Sequence, residues 1–300
     1  MHRKVLAAAL PAAFAQIGPF AGLEQRKIQA MDRLEASKIR VPGIEIRVAE
    51  RCTSTNALLM SEKSDHPVLL AAEEQTAGRG RRGRTWRSAR GAGATFSIRR
   101  RMRCAPLRLA GLSLAVGVAA ARALRSLGAG EVTLKWPNDL LAGGIHAGAK
   151  LGGILIETRM RGGDTAAVIG IGINCRPVRA LRAQLRRSVT ALDELMQSAP
   201  ERNAVIGAVA REVLAALEAY ERSGLAAFAD DWRALHAHEG SRLRVRLADG
   251  RTVSGIAAGI APSGALRLHT RAGLRDVTSG RVSVNAARVR TTKRPLKAAA

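Results

Sequence analysis

From Gly78 to Arg84 the chain reads GRGRRGR, with arginines at 79, 81, 82 and 84 and glycines at 78, 80 and 83. Guanidinium groups offer planar forks to phosphate or carboxylate. Glycines let the backbone come close to a ligand and take positive φ. The pairing describes an anion clamp, or alternatively an arginine-glycine segment that binds nucleic acid. A Walker-type phosphate loop is excluded, because no G-x-x-x-x-G-K-[ST] occurs. Three further stretches carry polar groups of matching chemistry. In LKWPNDLL, Lys135 suits triphosphate oxygens, while Asn138 and Asp139 suit a hard Mg²⁺ ion or simply a turn. In KLGGILIE, Lys150 precedes Gly152 and Gly153, and GIGIN ends on Asn174.

These groups need elements to position them. STNALLM predicts a helix start with Ser54 or Thr55 as N-cap. HPVLLAAEEQ and ATFSIRRRM predict strands on either side of the arginine loop, which favours a built loop over a low-complexity arm. Pro106 opens an apolar segment stopped by Gly128, predicted to be one core helix. Four strands are expected over EVTLKWP, the LLAGG turn, KLGGILIETRM and AAVIGIGINC, with RGGD as a hairpin loop. Helices are expected over roughly Asn203–Glu221 and Leu225–His236. From Glu239 short alternating strands punctuated by Asp-Gly and Ser-Gly predict a small all-β module. The expected organisation is an extension over residues 1–45, a catalytic domain over 46–238, a β module over 239–290 and a basic tail over 291–300.

Composition narrows the class. A chain 47% hydrophobic can bury a core, so disorder is excluded as the default. A formal charge of +25 favours polyanionic partners, although arginine-rich composition alone can produce it. Aromatics at 3% leave little for a base-stacking platform. Cys52, Cys104 and Cys175 are odd in number and show no metal spacing, which points to a reducing compartment. MHRKVLAAALPAAFA imitates a secretory signal, but an overlong start is the preferred reading. The longest uncharged apolar run, Leu109–Ala121, falls short of the about twenty residues a bilayer span needs, so no membrane association is expected.

In this order, STN (54–56), QTAGRGRRGRTW (75–86), LKWPNDLL (134–141), KLGGILIE (150–157) and GIGIN (170–174) resemble the biotin protein ligases. The final β module resembles that family's C-terminal domain. The resemblance implies an α+β fold: a mixed, largely antiparallel sheet flanked by helices, plus a small SH3-like β-barrel. It implies a two-step reaction in which biotin and ATP give biotinyl-5′-AMP, which then acylates a lysine of a biotin carboxyl carrier protein. That carrier would be an acetyl-CoA carboxylase subunit or part of another biotin-dependent carboxylase, and the enzyme would be cytoplasmic. By the same resemblance, Ser54, Thr55, Asn56, Gln75, Gly78, Arg79, Gly80, Arg81, Lys150 and Gly153 bind biotin. Arg82, Arg84, Trp86, Lys135, Asn138, Asp139 and Asn174 serve the nucleotide. Arg81 and Lys150 are the expected catalytic pair, and Asn138 and Asp139 the expected Mg²⁺ ligands. Trp86 either stacks on adenine or anchors the loop. The Lys150 assignment requires that KLGGIL continue its strand after the glycine-rich LLAGGIHAGA.

Too few residues precede STN for a winged helix, so no sequence-specific DNA binding is expected; a homodimer through sheet edges stays open. The alternatives are a lipoate or octanoate protein ligase and a basic nucleic-acid-binding protein. Mutual repulsion among the arginines predicts a loop that orders only when an anion neutralises it.

Overall fold

The computed structural model describes residues 32–63, 65–87, 89–161, 163–177 and 188–284. Strands β1 (Glu45–Cys52), β2 (Val68–Gln75), β3 (Gly93–Met102), β4 (Val132–Lys135), β5 (Asp139–Ala142), β6 (Lys150–Arg161) and β7 (Asp164–Asn174) form one sheet in the order β1-β2-β3-β7-β6-β5-β4. Only β1 and β2 run parallel, joined through helix α1 (Thr55–Ser61); every other pairing is antiparallel. The central strands read as continuous apolar runs because both faces are covered. Helices α2 (Leu112–Ser126) and α3 (Arg202–Ser223), with α4 (Ala229–Leu235), cover one face, and α1 lies on the other, packing its Leu59 against Val68, Leu70 and Val168. Phe96, Ile169, Leu124 and Val209 meet in the larger core at 0% exposure, each contributing about 1.5–3 kcal/mol by burial.

Strand β1 was not anticipated, since half-buried residues dilute its alternation. The segment from Pro106 is not one helix. A 3₁₀ turn over Pro106–Leu109 gives way at Gly111, whose φ of 85° starts α2 afresh. The last catalytic-domain helix is likewise a 3₁₀ turn, Gly224–Phe228, followed by α4. By length and composition alone Pro106–Ser126 could cross a bilayer, yet 61% of its apolar window is buried in this core.

The extension expected over 1–45 belongs to the core from Asp32 onward. Leu34, Ile39 and Val41 are buried, and Asp32 joins a charge network with no signal in local sequence. Arg202, 1% exposed, donates to Glu73 through Nη1 (2.8 Å) and Nη2 (3.1 Å), and its Nε and backbone amide donate to Asp32. Arg176 adds a second cation on Asp32 at 2.9 Å, so two carboxylates face two guanidinium groups. Burial pushes the Glu73 carboxyl up, but the hydrogen bonds from Arg202 and the Leu34 amide outweigh it and hold the group below its ordinary range. The network pins the end of β2, from which the arginine loop departs.

The second sheet comprises β8 (Arg242–Arg246), β9 (Thr252–Ile260), β10 (Leu266–Thr270), β11 (Gly273–Val277) and β12 (Arg281–Val284), all antiparallel, in the order β11-β10-β9-β8-β12. The expected tail, 291–300, and residues 285–290 lie outside the described residues. Trp136 Nε1 donates to Gly264 O (3.0 Å), and Gly264 abuts Gly111 so closely that a Cβ would come within 2.6 Å of the Gly111 Cα. At the junction the His236 ring stacks on Trp232 (4.3 Å between centroids) and its Nδ1 meets Glu239 at 3.1 Å.

Two outcomes follow from this architecture. Asp32→Ala leaves buried guanidinium charge uncompensated and should lower stability by about 3–5 kcal/mol, read from the urea midpoint. Burial lowers the pKa of both junction histidines, with Lys135 and His236 adding to the effect on His238, which falls from 6.5 to about 4. A depressed imidazole favours the neutral form, so its contribution is complete above 6.5 and lost as pH falls toward about 4. Thermal unfolding across that window should show the loss, and His238→Asn should flatten it.

Candidate active site

The LLAGGIHAGA insertion closes on itself before it can disturb the sheet. Ala142 donates to Ala149 O and Gly148 to Ala142 O, leaving Ile145 96% exposed at the tip. Lys150 therefore begins β6, paired with Leu141, while Gly153 pairs with Asp139. The required register is met. Asn174 secures it, donating to Thr190 O (3.0 Å) and Lys150 O (3.4 Å) beside the bonds that the Lys150 backbone makes with Ser188 and Thr190. Asn174 thus holds the strand and does not line the cavity.

That cavity, of about 340 Å³, opens beside β6 and β7. Its walls include Ser54, Thr55, Asn56, Gln75, Arg79, Gly80, Arg81, Arg84, Trp86, Asn138, Asp139, Lys150 and Gly153, which the sequence singled out. Gly78, Arg82, Lys135 and Asn174 are outside it. Gly78 packs, since a Cβ there would meet Trp86 O at 2.4 Å. Arg82 sits exposed at the loop tip, and the charge of Lys135 lies near His238 instead. The floor is glycine because nothing larger fits. A Cβ at Gly170 would come within 2.1 Å of Asn56 Oδ1, and one at Gly172 within 2.4 Å of the Trp86 indole. Trp86 therefore anchors against β7, with the Lys150 ammonium 6.0 Å from its ring centroid.

One hydrogen-bonded relay runs along the wall. Gln75 Oε1 accepts from the Thr55 amide (2.7 Å), and Thr55 Oγ1 meets Ser97 Oγ at 2.7 Å. Ser97 donates to Asn56 Oδ1 (2.6 Å), and Asn56 Nδ2 donates to Glu157 (2.9 Å). Glu157 in turn holds Arg79 at 2.9 Å. Ser54 caps α1, accepting from the Ala57 amide. Asn56 and Arg79 therefore spend their polar atoms on positioning. Sequence reading missed Ser97, Thr95, Glu157 and Arg281. Thr95 and Ser97 alternate as polar residues within an apolar strand, a signal that was available. Arg281, arriving from the second sheet, had none.

The arginine loop is a small hairpin. Gly80 donates to Arg84 O (2.7 Å) and Trp86 to Gly78 O (2.8 Å), with left-handed Arg82 (φ 56°) and Gly83 (φ 69°) at the tip. Arg79 is already neutralised by Glu157, so the expected uniform repulsion is confined to Arg81, Arg82 and Arg84. Burial, then the charges of Arg82 and Arg84, push the Arg81 guanidinium below its ordinary range, and Asp139 only partly offsets them. An anion entering here relieves that repulsion. Two buried donors on the wall, Trp86 Nε1 and Thr95 Oγ1, have no partner among the described residues.

The residues fit a Mg²⁺ ion that arrives on phosphate rather than one held by protein. Asp139 Oδ1 is paired with Lys150, and Asn138 Nδ2 donates to Ile154 O (2.8 Å). No group of three or more His, Cys, Asp or Glu side chains that could hold a metal occurs among the described residues. The arrangement suits gathering a carboxylate and a phosphate over a glycine floor.

Residues 48–174 match the biotin/lipoate A/B protein ligase family, and residues 238–284 match the biotin protein ligase C terminal domain. The chain is 37% identical over 253 residues to the bifunctional ligase/repressor BirA of Escherichia coli, covering 83% of this chain and 76% of that protein. It is 36% identical over 232 residues to the biotin--[acetyl-CoA-carboxylase] ligase of Mycobacterium tuberculosis, covering 75% and 83%. In fold it is similar to a biotin protein ligase from Aquifex aeolicus in complex with biotin and ATP, with TM-score 0.68, 24% identity and coverage of 80% and 98%.

The glycine floor is directly testable. Gly172→Ala must move the Trp86 indole and should cost about 1–3 kcal/mol of stability by overpacking while also weakening ligand binding in the cavity; unfolding reads the first and calorimetric titration the second.

Proposed function

The chain belongs to the biotin protein ligases of the biotin/lipoate A/B protein ligase family, and from that premise we propose how its own residues carry out the reaction. It attaches biotin to a lysine of a biotin carboxyl carrier protein. Biotin carboxylate first displaces pyrophosphate from ATP to give biotinyl-5′-AMP. The lysine amine then attacks the acyl carbon, forming the amide and releasing AMP. The match of residues 238–284 to the biotin protein ligase C terminal domain weighs for biotin over an octanoyl or lipoyl group.

The observation that carries the reading is the meeting of Arg81, Arg84 and Lys150 on a cavity whose floor is glycine. Two anions must come into bonding contact, and fixed cations offset their repulsion without reorganising. Lys150, on a strand end clamped by Asn174, lies where the carboxylate and the α-phosphate meet. The buried Trp86 Nε1 and Thr95 Oγ1 supply neutral donors on the biotin side. Gln75 and Thr55, locked to one another, shape the end that takes the ureido ring. Arg81 and Arg84 cover the adenylate from the hairpin. Asp139 and Asn138 would be the oxygen donors nearest a Mg²⁺ ion brought by the triphosphate, and such an ion would supply neutralisation of phosphate charge. The enzyme needs no covalent nucleophile. Burial raises the thiol of Cys175 to about 12, far from a reactive thiolate. Operator DNA forms no part of the reading.

Biotin-dependent ATP–pyrophosphate exchange, together with avidin detection of an apo carrier domain, tests it; absence of exchange with MgATP and biotin overturns it. Arg81→Gly should still form adenylate but hold it roughly ten- to a hundredfold less tightly, the worth of one charge-assisted hydrogen bond. Free adenylate would then label bystander lysines, and undiminished retention would refute the covering role.

A further inference from the structure

Strand β8 reads RLRVR, and burial follows its alternation: Leu243 and Val245 are buried while Arg242, Arg244 and Arg246 are exposed. The period of two places the three guanidinium groups on one face, about 7 Å apart along the strand. The partner strands add no counter-charge. Arg244 lies between Ser283 and Ser254, Arg242 beside Ile256, and Arg246 between Thr252 and Arg281. Like charges directly opposite one another destabilise a sheet, so the Arg246–Arg281 pair opposes folding of its own module. The carboxylates of the module are committed elsewhere: Asp249 to Arg251, Asp276 to Arg267, and Glu239 to His236. Among the described residues, none pairs with Arg242, Arg244, Arg246 or Arg281. The row also has a direction, because Arg281 lines the catalytic cavity.

We propose that this arginine row is the docking surface for an acidic face of the protein that accepts biotin. The proposal rests on the ligase reading and deepens it. A macromolecule lying along Arg242, Arg244 and Arg246 is brought to the cavity by Arg281, where its target lysine meets the adenylate. Carboxylates match exposed guanidinium forks, and such rim charges act mainly on encounter. Nucleic acid fits less well. The exposed face of β8, β9 and β12 carries Arg, Ser, Thr, Ile and Val without an aromatic for base stacking, and a nucleic acid brings no acyl-accepting lysine to the cavity end of the row.

Charge reversal at Arg242 and Arg244 tests the surface while leaving the cavity intact. The double variant Arg242→Glu, Arg244→Glu should lower kcat/KM for an apo carrier domain by about tenfold, through KM. Biotin-dependent pyrophosphate exchange and transfer to hydroxylamine should be unchanged. Rising salt should slow transfer by the unaltered protein and leave the variant nearly insensitive. The neutral variant Arg242→Ser, Arg244→Ser guards against misfolding; it should fold at least as stably and show a smaller loss in the same direction. Unchanged carrier kinetics in both variants, with exchange intact, overturn the proposal. So does loss of binding to a DNA duplex with carrier transfer unaffected, which would assign the row to nucleic acid. Absence of exchange in the unaltered protein is a separate result that brings down the ligase reading and this one with it.

Discussion

Arg79, Arg81, Arg84 and Lys150 line one cavity with a single carboxylate, Asp139, while Glu157 outside the lining holds Arg79. Side chains so charged separate unless the backbone beneath them is held, and much of the catalytic domain performs that holding. The buried network of Asp32, Glu73, Arg176 and Arg202 fixes the end of β2. The cross-hairpin bonds from Gly80 and Trp86 fix the loop that follows. Asn174 fixes the start of β6 from the neighbouring strand. Each uses main-chain or buried groups, whose geometry cannot relax when the cations repel. Electrostatic preorganisation of this kind acts because the reorganisation cost was met during folding.

Glycine makes the closeness possible. Gly170 and Gly172 let Asn56 and Trp86 press directly on β7, and Gly153 leaves room for the Lys150 ammonium, 3.1 Å from where a Cβ would stand. Strand interiors lose stability at each such glycine. The pairing with β3 and β6 along the full length of β7 supplies the compensating ladder.

The parts legible in the sequence are those whose signal is local. GRGRRGR declares its chemistry by composition, KLGGILIE by period and glycine, and Ser54 its cap by position. The legible strands β2, β6 and β7 carry apolar runs, and β3 carries an apolar stretch punctuated by Thr95 and Ser97. What escaped was encoded at long range. Asp32 reads as part of a featureless extension because its partner, Arg202, lies 170 residues away. Arg281 belongs to a different sheet from every other wall residue. Lys135 and Asn174 sit inside motif stretches, yet strand alternation and a carbonyl clamp turn them to other tasks, so shared spacing alone could not sort contact from support. The break at Gly111 was hidden by the apolar run on both sides and is explained by the approach of Gly264 from the C-terminal module.

That approach links the two sheets to the chemistry. Trp136 bonds the second sheet next to the β4–β5 hairpin, whose other strand begins with Asp139, the carboxylate that holds Lys150. Glu157 holds Arg79 in the same manner. A carboxylate or phosphate entering the cavity competes with these protein carboxylates for Lys150 and Arg79, exchanging one ion pair for another at those two contacts. The net electrostatic gain per contact is then modest, as it is wherever desolvation and pairing nearly cancel. Arg81 and Arg84, which form no ion pair among the described residues, gain a counter-charge outright, and the buried neutral donors Trp86 Nε1 and Thr95 Oγ1 likewise have no protein partner to give up. The cavity thus presents paired cations, unpaired cations and neutral donors together to whatever enters it.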